Sequence, residues 1–204
     1  MTDVTLLAVS KTFGIEAVRE AHVAGQNAFG ENYIQEAVEK IAVLRELKLQ
    51  WHCIGPVQSN KTRLVATHFD WVHTIDRLKI AQRLSQHRPP ELAPLQLCIQ
   101  VNIDGGATKA GVAPQEVPAL AVEIAQLPRL KLRGLMTIPE PADDFTAQRA
   151  VHMRTRALFD QLNAAGLQLD TLSMGMTADL EAAIAAGGTL VRIGTAIFGG
   201  RPPK

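Results

Sequence analysis

A lysine near the start of the chain has the setting of a reactive amine. Residues 4–9, Val-Thr-Leu-Leu-Ala-Val, are apolar or β-branched, and Ser10, Lys11 and Thr12 end the run. A short run of this kind reads as a strand buried on both faces. In α/β folds ligands bind at the carboxyl ends of such strands. A lysine amine kept out of bulk water forms imines with aldehydes readily. Far along the chain, glycines and hydroxyls follow two further apolar runs: Ser173 and Gly175 after one, Gly194 and Thr195 after the next. Barrel folds bind phosphate in such loops through backbone N–H groups, and Gly194 permits close backbone approach. An imine-forming lysine and a phosphate cradle on one rim describe a phosphorylated aldehyde as ligand. Pyridoxal 5′-phosphate (PLP) is such a molecule.

The elements that must position these residues alternate. Short apolar runs at 6–10, 28–30, 51–54, 72–75, 95–103, 130–138, 167–172 and 190–193 read as strands. Helical patterns at 14–25, 31–48, 59–67, 77–87, 114–126, 143–165 and 177–186 lie between them. Ser59, Asp76 and Asp143 or Asp144 are expected helix caps, Gly166 and Gly187 are stops, and a short turn ends at Pro202-Pro203. Eight strands with helices between them predict a (β/α)8 TIM barrel, an α/β fold, in a single domain spanning 1–204. At 204 residues it is smaller than the roughly 250 residues usual for the class. No linker or repeat beyond this alternation is visible.

Composition narrows the function. The net charge is +1 and aromatics make up 4%, so neither nucleic acid nor an anionic membrane is an expected partner. No stretch has the length of a transmembrane helix and no leader is visible, so a soluble, cytoplasmic protein is expected. Cys53 and Cys98 lie in strand-like runs and are expected to be buried free thiols. The histidines and cysteines lack close metal-ligand spacing, so no metal is expected. His52 reads as a satisfied rim histidine. Lys61 and Lys109 read as surface or loop charges, and the charged faces of 31–48 and 148–156 as solvated helix surfaces.

Several motifs carry a more specific resemblance. They are Leu-Leu-Ala-Val-Ser-Lys-Thr (6–12), Phe-Gly-Glu-Asn-Tyr-Ile-Gln-Glu (29–36), His-Cys-Ile-Gly-Pro-Val-Gln-Ser-Asn-Lys (52–61), Gly-Leu-Met-Thr-Ile-Pro (134–139), Leu-Ser-Met-Gly-Met-Thr (172–177) and Val-Arg-Ile-Gly-Thr-Ala-Ile-Phe-Gly (191–199). In this order they resemble the YggS/PROSC family of PLP homeostasis proteins, whose fold is similar to the N-terminal barrel domain of alanine racemase. The resemblance implies that Lys11 carries PLP covalently and that Arg192 faces the pyridine nitrogen. It implies phosphate contacts from Ser173, Gly194 and Thr195, with Asn32 and Met136 lining the ring pocket and Gly175 in the loop beside them. It implies no catalytic residue, and a carrier that buffers PLP or hands it to apo PLP-dependent enzymes; without the racemase's second domain and its dimer contacts, a monomer is expected. The family pattern also has a helix ahead of the first strand, whereas here Asp3 almost adjoins the strand, so either the natural start lies upstream or the base of the barrel is less covered; it has a serine where Thr177 stands.

A guanidinium can only donate to a ring nitrogen, which suits holding the cofactor more than carbanion chemistry. The alternative is an amino-acid racemase-like enzyme. Racemisation needs a second base on the opposite ring face. In alanine racemase a tyrosine from a further domain supplies it, and here the only tyrosine is Tyr33.

Overall fold

The structure, a computed structural model, describes residues 3–106 and 109–200. Eight parallel strands close into a barrel in chain order: β1 (Thr5–Val9), β2 (Ala28–Glu31), β3 (Gln50–Cys53), β4 (Trp71–Ile75), β5 (Leu95–Gln100), β6 (Leu130–Met136), β7 (Thr171–Ser173) and β8 (Leu190–Ile193). Helices α1 (Ile15–Val23), α2 (Ile34–Val43), α3 (Thr62–His68), α4 (Leu78–His87), α5 (Val117–Ala125), α6 (Phe145–Ala164) and α7 (Leu180–Ala185) alternate with them, and a final turn forms α8 (Thr195–Phe198). The expected (β/α)8 barrel is the fold.

Strand alternation sorts the side chains. Ala8, Phe29, Cys53, Val72, Leu97, Ile99, Leu135 and Leu172 pack outward with the helices in the main core. The opposite faces fill the barrel with two smaller clusters: Leu7, Val9, Ala28, Ile54 and Leu190, and Trp71, Cys98 and Met136. Between them runs a polar seam containing His52, His73, Ser173 and Arg192, all buried. Cys53 and Cys98 are buried free thiols, pushed up to about 12 by burial.

Several element ends differ from the sequence expectation, each for a local reason. The second helix does not begin at residue 31. Glu31 is the last residue of β2, in register with Cys53. Its carboxylate is fully buried and accepts from Ser10 Oγ at 2.7 Å and Lys40 Nζ at 2.9 Å. This corrects the expectation of a solvated charged face: α2 turns Lys40 inward, where its Nζ also meets the Ser10 carbonyl at 3.1 Å and Glu36 at 2.8 Å. Burial raises the Glu31 pKa above its ordinary value, against the pull of Lys40 and Ser10.

β7 is shorter than residues 167–172. Asn163 captures the preceding chain by accepting from Leu169 N–H at 2.8 Å and donating to the Leu169 carbonyl at 3.0 Å. Asp144 caps α6, accepting from Ala147 N–H at 2.8 Å. Asp76 does not cap α4, because it is spent on Arg77 at 2.8 Å. Ser59 does not cap α3 either: a 3₁₀ turn, Ser59–Lys61, precedes the helix, and the Ser59 carbonyl accepts from Thr62 Oγ1 at 2.9 Å. Pro202 and Pro203 lie outside the described residues. Among the described residues no helix is long and apolar enough to cross a membrane.

The wall of the barrel is uneven. β5 and β6 share six register pairs, whereas β7 and β8 share one, Ser173 with Leu190.

Candidate functional site

A cavity of about 220 Å³ opens at the carboxyl ends of the strands. That is below the roughly 300–1,000 Å³ of typical ligand pockets, so it suits one substituted ring with a short tail. Val9, Lys11, Thr12 and Phe13 line it from β1, Asn32 from β2, Ile54 from β3 and Ile138 from β6. Met176 and Thr177 come from the loop after β7, and Arg192, Gly194, Thr195 and Gly199 from β8 and the turn beyond it. Among these residues Lys11 is the one primary amine.

Lys11 stands on a tight turn closed by Phe13 N–H donating to the Ser10 carbonyl at 3.1 Å. Thr12, the next residue, has φ 69°, a left-handed conformation that is unusual for a β-branched side chain. Such strain persists where the surroundings enforce it, and it gathers at functional sites. Here the Ser10–Glu31–Lys40 cluster grips the residue before Lys11. On the far side of the turn Phe13 stacks on Phe198 of α8, with ring centroids 5.0 Å apart. That stack joins the loops carrying Lys11 and Thr195.

Arg192 is 4% exposed and is held from three points. Nη1 donates to the Ser173 carbonyl at 2.7 Å and to Ser173 Oγ at 2.8 Å, and Nη2 donates to the Thr137 carbonyl at 2.8 Å. Burial lowers its pKa to about 10, so the guanidinium stays charged at neutral pH. Asn32 supplies the pocket's unspent acceptor. Its Oδ1 is buried without a hydrogen-bond partner among the described residues. Gly55 holds that segment close: a Cβ there would lie 2.1 Å from the Asn32 carbonyl oxygen.

The loop after β7 is fixed by Asp179. Its Oδ1 accepts from Met176 N–H at 2.7 Å, and its Oδ2 lies 2.8 Å from His152 Nε2 on α6. Burial alone would raise the Asp179 pKa. The bonds from His152 and Met176 outweigh it, and the carboxyl sits below the usual range. The clasp presents Met176 and Thr177 to the cavity.

The structure thus gathers Lys11, Asn32, Arg192, Gly194 and Thr195 around one cavity. Three other expected site residues are placed elsewhere. Met136 is fully buried inside the barrel with Trp71 and Cys98 and is not part of the cavity wall. The Ser173 hydroxyl is fully buried and engaged by Arg192 and His73, so it supports the arginine from beneath. Gly175, at φ 94°, packs where a Cβ would lie 2.6 Å from Ala183 Cβ; it shapes the turn into α7 without touching the cavity. His52 is also not a rim residue. It lies inside the barrel at 1% exposure, between His73 and Gln50. Lys109 is a loop charge, paired with Asp104 at 3.3 Å and Glu140 at 3.1 Å.

Thr177, Phe13, Thr12 and Ile138 were not singled out as pocket residues by the sequence reading. Thr177 had a signal: a hydroxyl at the end of the Leu-Ser-Met-Gly-Met-Thr motif. Among the described residues no group of three or more His, Cys, Asp or Glu side chains could hold a metal ion.

The fold and the site define the class: the model for the N-terminal domain of alanine racemase matches residues 1–202. Alanine racemase of Clostridium difficile 630 has the same fold at TM-score 0.82 and 17% identity, with this chain covering 54% of that one. Nearer relatives are the "Pyridoxal phosphate homeostasis protein" of Pseudomonas aeruginosa and that of Escherichia coli K12. The first is 62% identical, covering 97% of this chain and 85% of its own; the second is 55% identical, covering 98% and 86%. Among solved structures, PipY of Synechococcus elongatus PCC7942 with PLP bound superposes at TM-score 0.88 with 38% identity, covering 96% of this chain and 92% of that one. The chain belongs to the pyridoxal phosphate homeostasis protein family.

Proposed function

We propose that this chain binds PLP in the barrel-mouth cavity and serves in the homeostasis of that cofactor. It holds the cofactor on Lys11 and passes it to acceptor proteins, apo PLP-dependent enzymes among them. The observation that carries the reading is the set of groups around one small cavity: an amine, a charged and anchored guanidinium, threonine hydroxyls and an unpartnered buried amide oxygen. These are the groups that a phosphorylated pyridine aldehyde requires.

The residues divide the task. Lys11 offers the amine for covalent attachment. Thr177 and Thr195 offer hydroxyls to a phosphate, joined by first-turn N–H groups of α8 that have no intrahelical acceptor. Asn32 Oδ1 accepts from a hydroxyl on the ring. Arg192 donates to the ring nitrogen and delivers no proton to it, because its own pKa of about 10 keeps the proton on the guanidinium. When bound, PLP supplies an aldehyde that condenses with an amine to release water, and a conjugated ring that acts as an electron sink. Arg192 leaves that sink weak by keeping the nitrogen uncharged.

The same geometry favours holding over turnover. Tyr33, the chain's one tyrosine, is 56% exposed at the start of α2 and is not part of the cavity wall. No tyrosine among the described residues is placed to serve as a second base.

The test is uptake of PLP by purified protein, followed by borohydride reduction and peptide mass analysis. The expected result is a pyridoxyl adduct on the peptide containing Lys11, absent in Lys11→Ala. An adduct confined to other lysines, or none, rejects the reading.

A further inference from the structure

The polar seam beneath Arg192 has no part in the pocket chemistry above, yet it occupies the middle of the barrel. His52 on β3 and His73 on β4 are 1% and 0% exposed. His52 Nδ1 lies 2.9 Å from His73 Nε2, and His73 Nδ1 lies 2.8 Å from Ser173 Oγ. Ser173 Oγ accepts from Arg192 Nη1 at 2.8 Å. At the other end His52 Nε2 lies 3.0 Å from Gln50 Oε1, at the amino-terminal side of the barrel. Trp71 braces the chain, stacked on His52 with centroids 5.2 Å apart and an interplanar angle of 8°.

The proton order along this chain follows from donor and acceptor chemistry. A guanidinium only donates, so Ser173 Oγ accepts at the Arg192 end. The hydroxyl has one proton, and His73 Nδ1 is the acceptor placed for it. His73 then carries its proton on Nε2 and donates to His52 Nδ1. His52 likewise carries its proton on Nε2 and donates to Gln50 Oε1. The reverse order leaves the Ser173 proton with no acceptor among the described residues and sets a carbonyl oxygen against a ring lone pair. Two cationic rings would oppose N–H to N–H. One arrangement therefore satisfies every member: two neutral histidines, both Nε2–H, with every bond pointing away from the arginine.

We propose that His73, backed by His52, is a positioning residue for Arg192. By accepting the Ser173 proton, His73 turns the Ser173 oxygen toward the guanidinium and strengthens it as an acceptor. Arg192 is thereby held at one depth beneath the cavity. The link to affinity rests on the reading of the cavity as a PLP site; the proton order does not.

Two measurements test this. In protein free of cofactor, nitrogen NMR of the imidazole rings at neutral pH is expected to show His52 and His73 each protonated on Nε2 only. A proton on His73 Nδ1, or a cationic ring, overturns the proposal. With PLP, His73→Leu is expected to weaken equilibrium binding about tenfold and to move the absorption maximum of the bound cofactor. His73→Asn, whose amide oxygen can accept from Ser173, is expected to restore most of both. A folded His73→Leu protein with wild-type affinity and spectrum overturns the proposal. Should His73→Leu fail to fold, Ser173→Ala takes its place, with the same loss of affinity and spectral displacement expected; a folded Ser173→Ala protein with wild-type affinity and spectrum overturns it. If the wild type takes up no PLP, the function proposed above fails, and the ring spectra still decide the proton order.

Discussion

The two ends of the barrel differ in what their polar groups have left to offer. The base holds the larger cavity, about 370 Å³, lined by Gln50, Trp71, Arg133 and Asp170 among others. Its arginine is already matched. Arg133 donates to both Asp170 oxygens at 2.7–3.0 Å and to Gln96 at 2.9 Å, and it lies 4.8 Å over the Trp71 ring. The mouth cavity is smaller, about 220 Å³, and its wall includes Asn32, whose buried Oδ1 has no hydrogen-bond partner among the described residues. Among the described residues, the buried side-chain atoms that lack a hydrogen-bond partner include Glu31 Oε2, Asn32 Oδ1, Asp104 Oδ1 and Thr137 Oγ1. These four lie in or just beyond the carboxyl ends of strands, with Asn32 lining the mouth cavity and none lining the basal one; the other two among the described residues, His152 Nδ1 and Thr155 Oγ1, lie on α6. Volume and unspent hydrogen-bonding capacity, which is costly to bury without a purpose, therefore point to opposite ends.

The contrast can be broken or sharpened by experiment. The largest effect is expected at the mouth. Lys40→Met leaves the fully buried Glu31 carboxylate without its cation and should cost about 3 kcal/mol or more, read from urea denaturation. An unshifted midpoint would mean that this end is no more tightly built than the base.

The seam between the two ends should show in pH dependence. Burial lowers the His52 pKa to about 3 and holds His73 well below its ordinary value. The unfolded chain takes up protons near pH 6.5 that the folded chain refuses. Stability is thus fully present above pH 6.5 and falls as pH drops below it. The loss is about 1 kcal/mol for each ring between pH 6.5 and 5.5, approaching about 1.4 kcal/mol per pH unit below that. Denaturation at pH 6.5 and 5.5 should reveal this slope, and His52→Gln should remove about half of it. A flat profile would place cationic rings in the seam.

The smallest effect is expected at the base. Arg133→Met removes a partly exposed pair and should cost about 1 kcal/mol in the same denaturation measurement. A loss as large as that of Lys40→Met would erase the distinction.

What the sequence made legible follows from the range of the interactions involved. The strand count and Lys11 were readable because apolar periodicity and strand ends are local signals. Arg192 was readable only through family resemblance, since nothing in Val-Arg-Ile-Gly says which way the arginine turns. Met136 and Ser173 came at the ends of the right strands, and their side chains do point into the barrel, but at a depth that linear order does not encode. Glu31 and Lys40 looked like a solvated helical face because their decisive partner, Ser10, lies 21 residues from Glu31. His52 and His73 are likewise 21 residues apart, and only barrel closure sets them 2.9 Å from each other. Two histidines on inward-facing positions of adjoining apolar strands were nonetheless a signal that alternation could have supplied.

Arg192 stands on β8 and bonds to Ser173 of β7 and to Thr137 just past β6, across the wall's thinnest join, where β7 and β8 share a single register pair. One side chain thus serves both as cavity wall and as stitching for the scaffold. Exchange for an acidic residue, the change that would equip the ring for vigorous carbanion chemistry, would also cut those threads. Evolution toward such catalysis on this scaffold would first have to mend the wall.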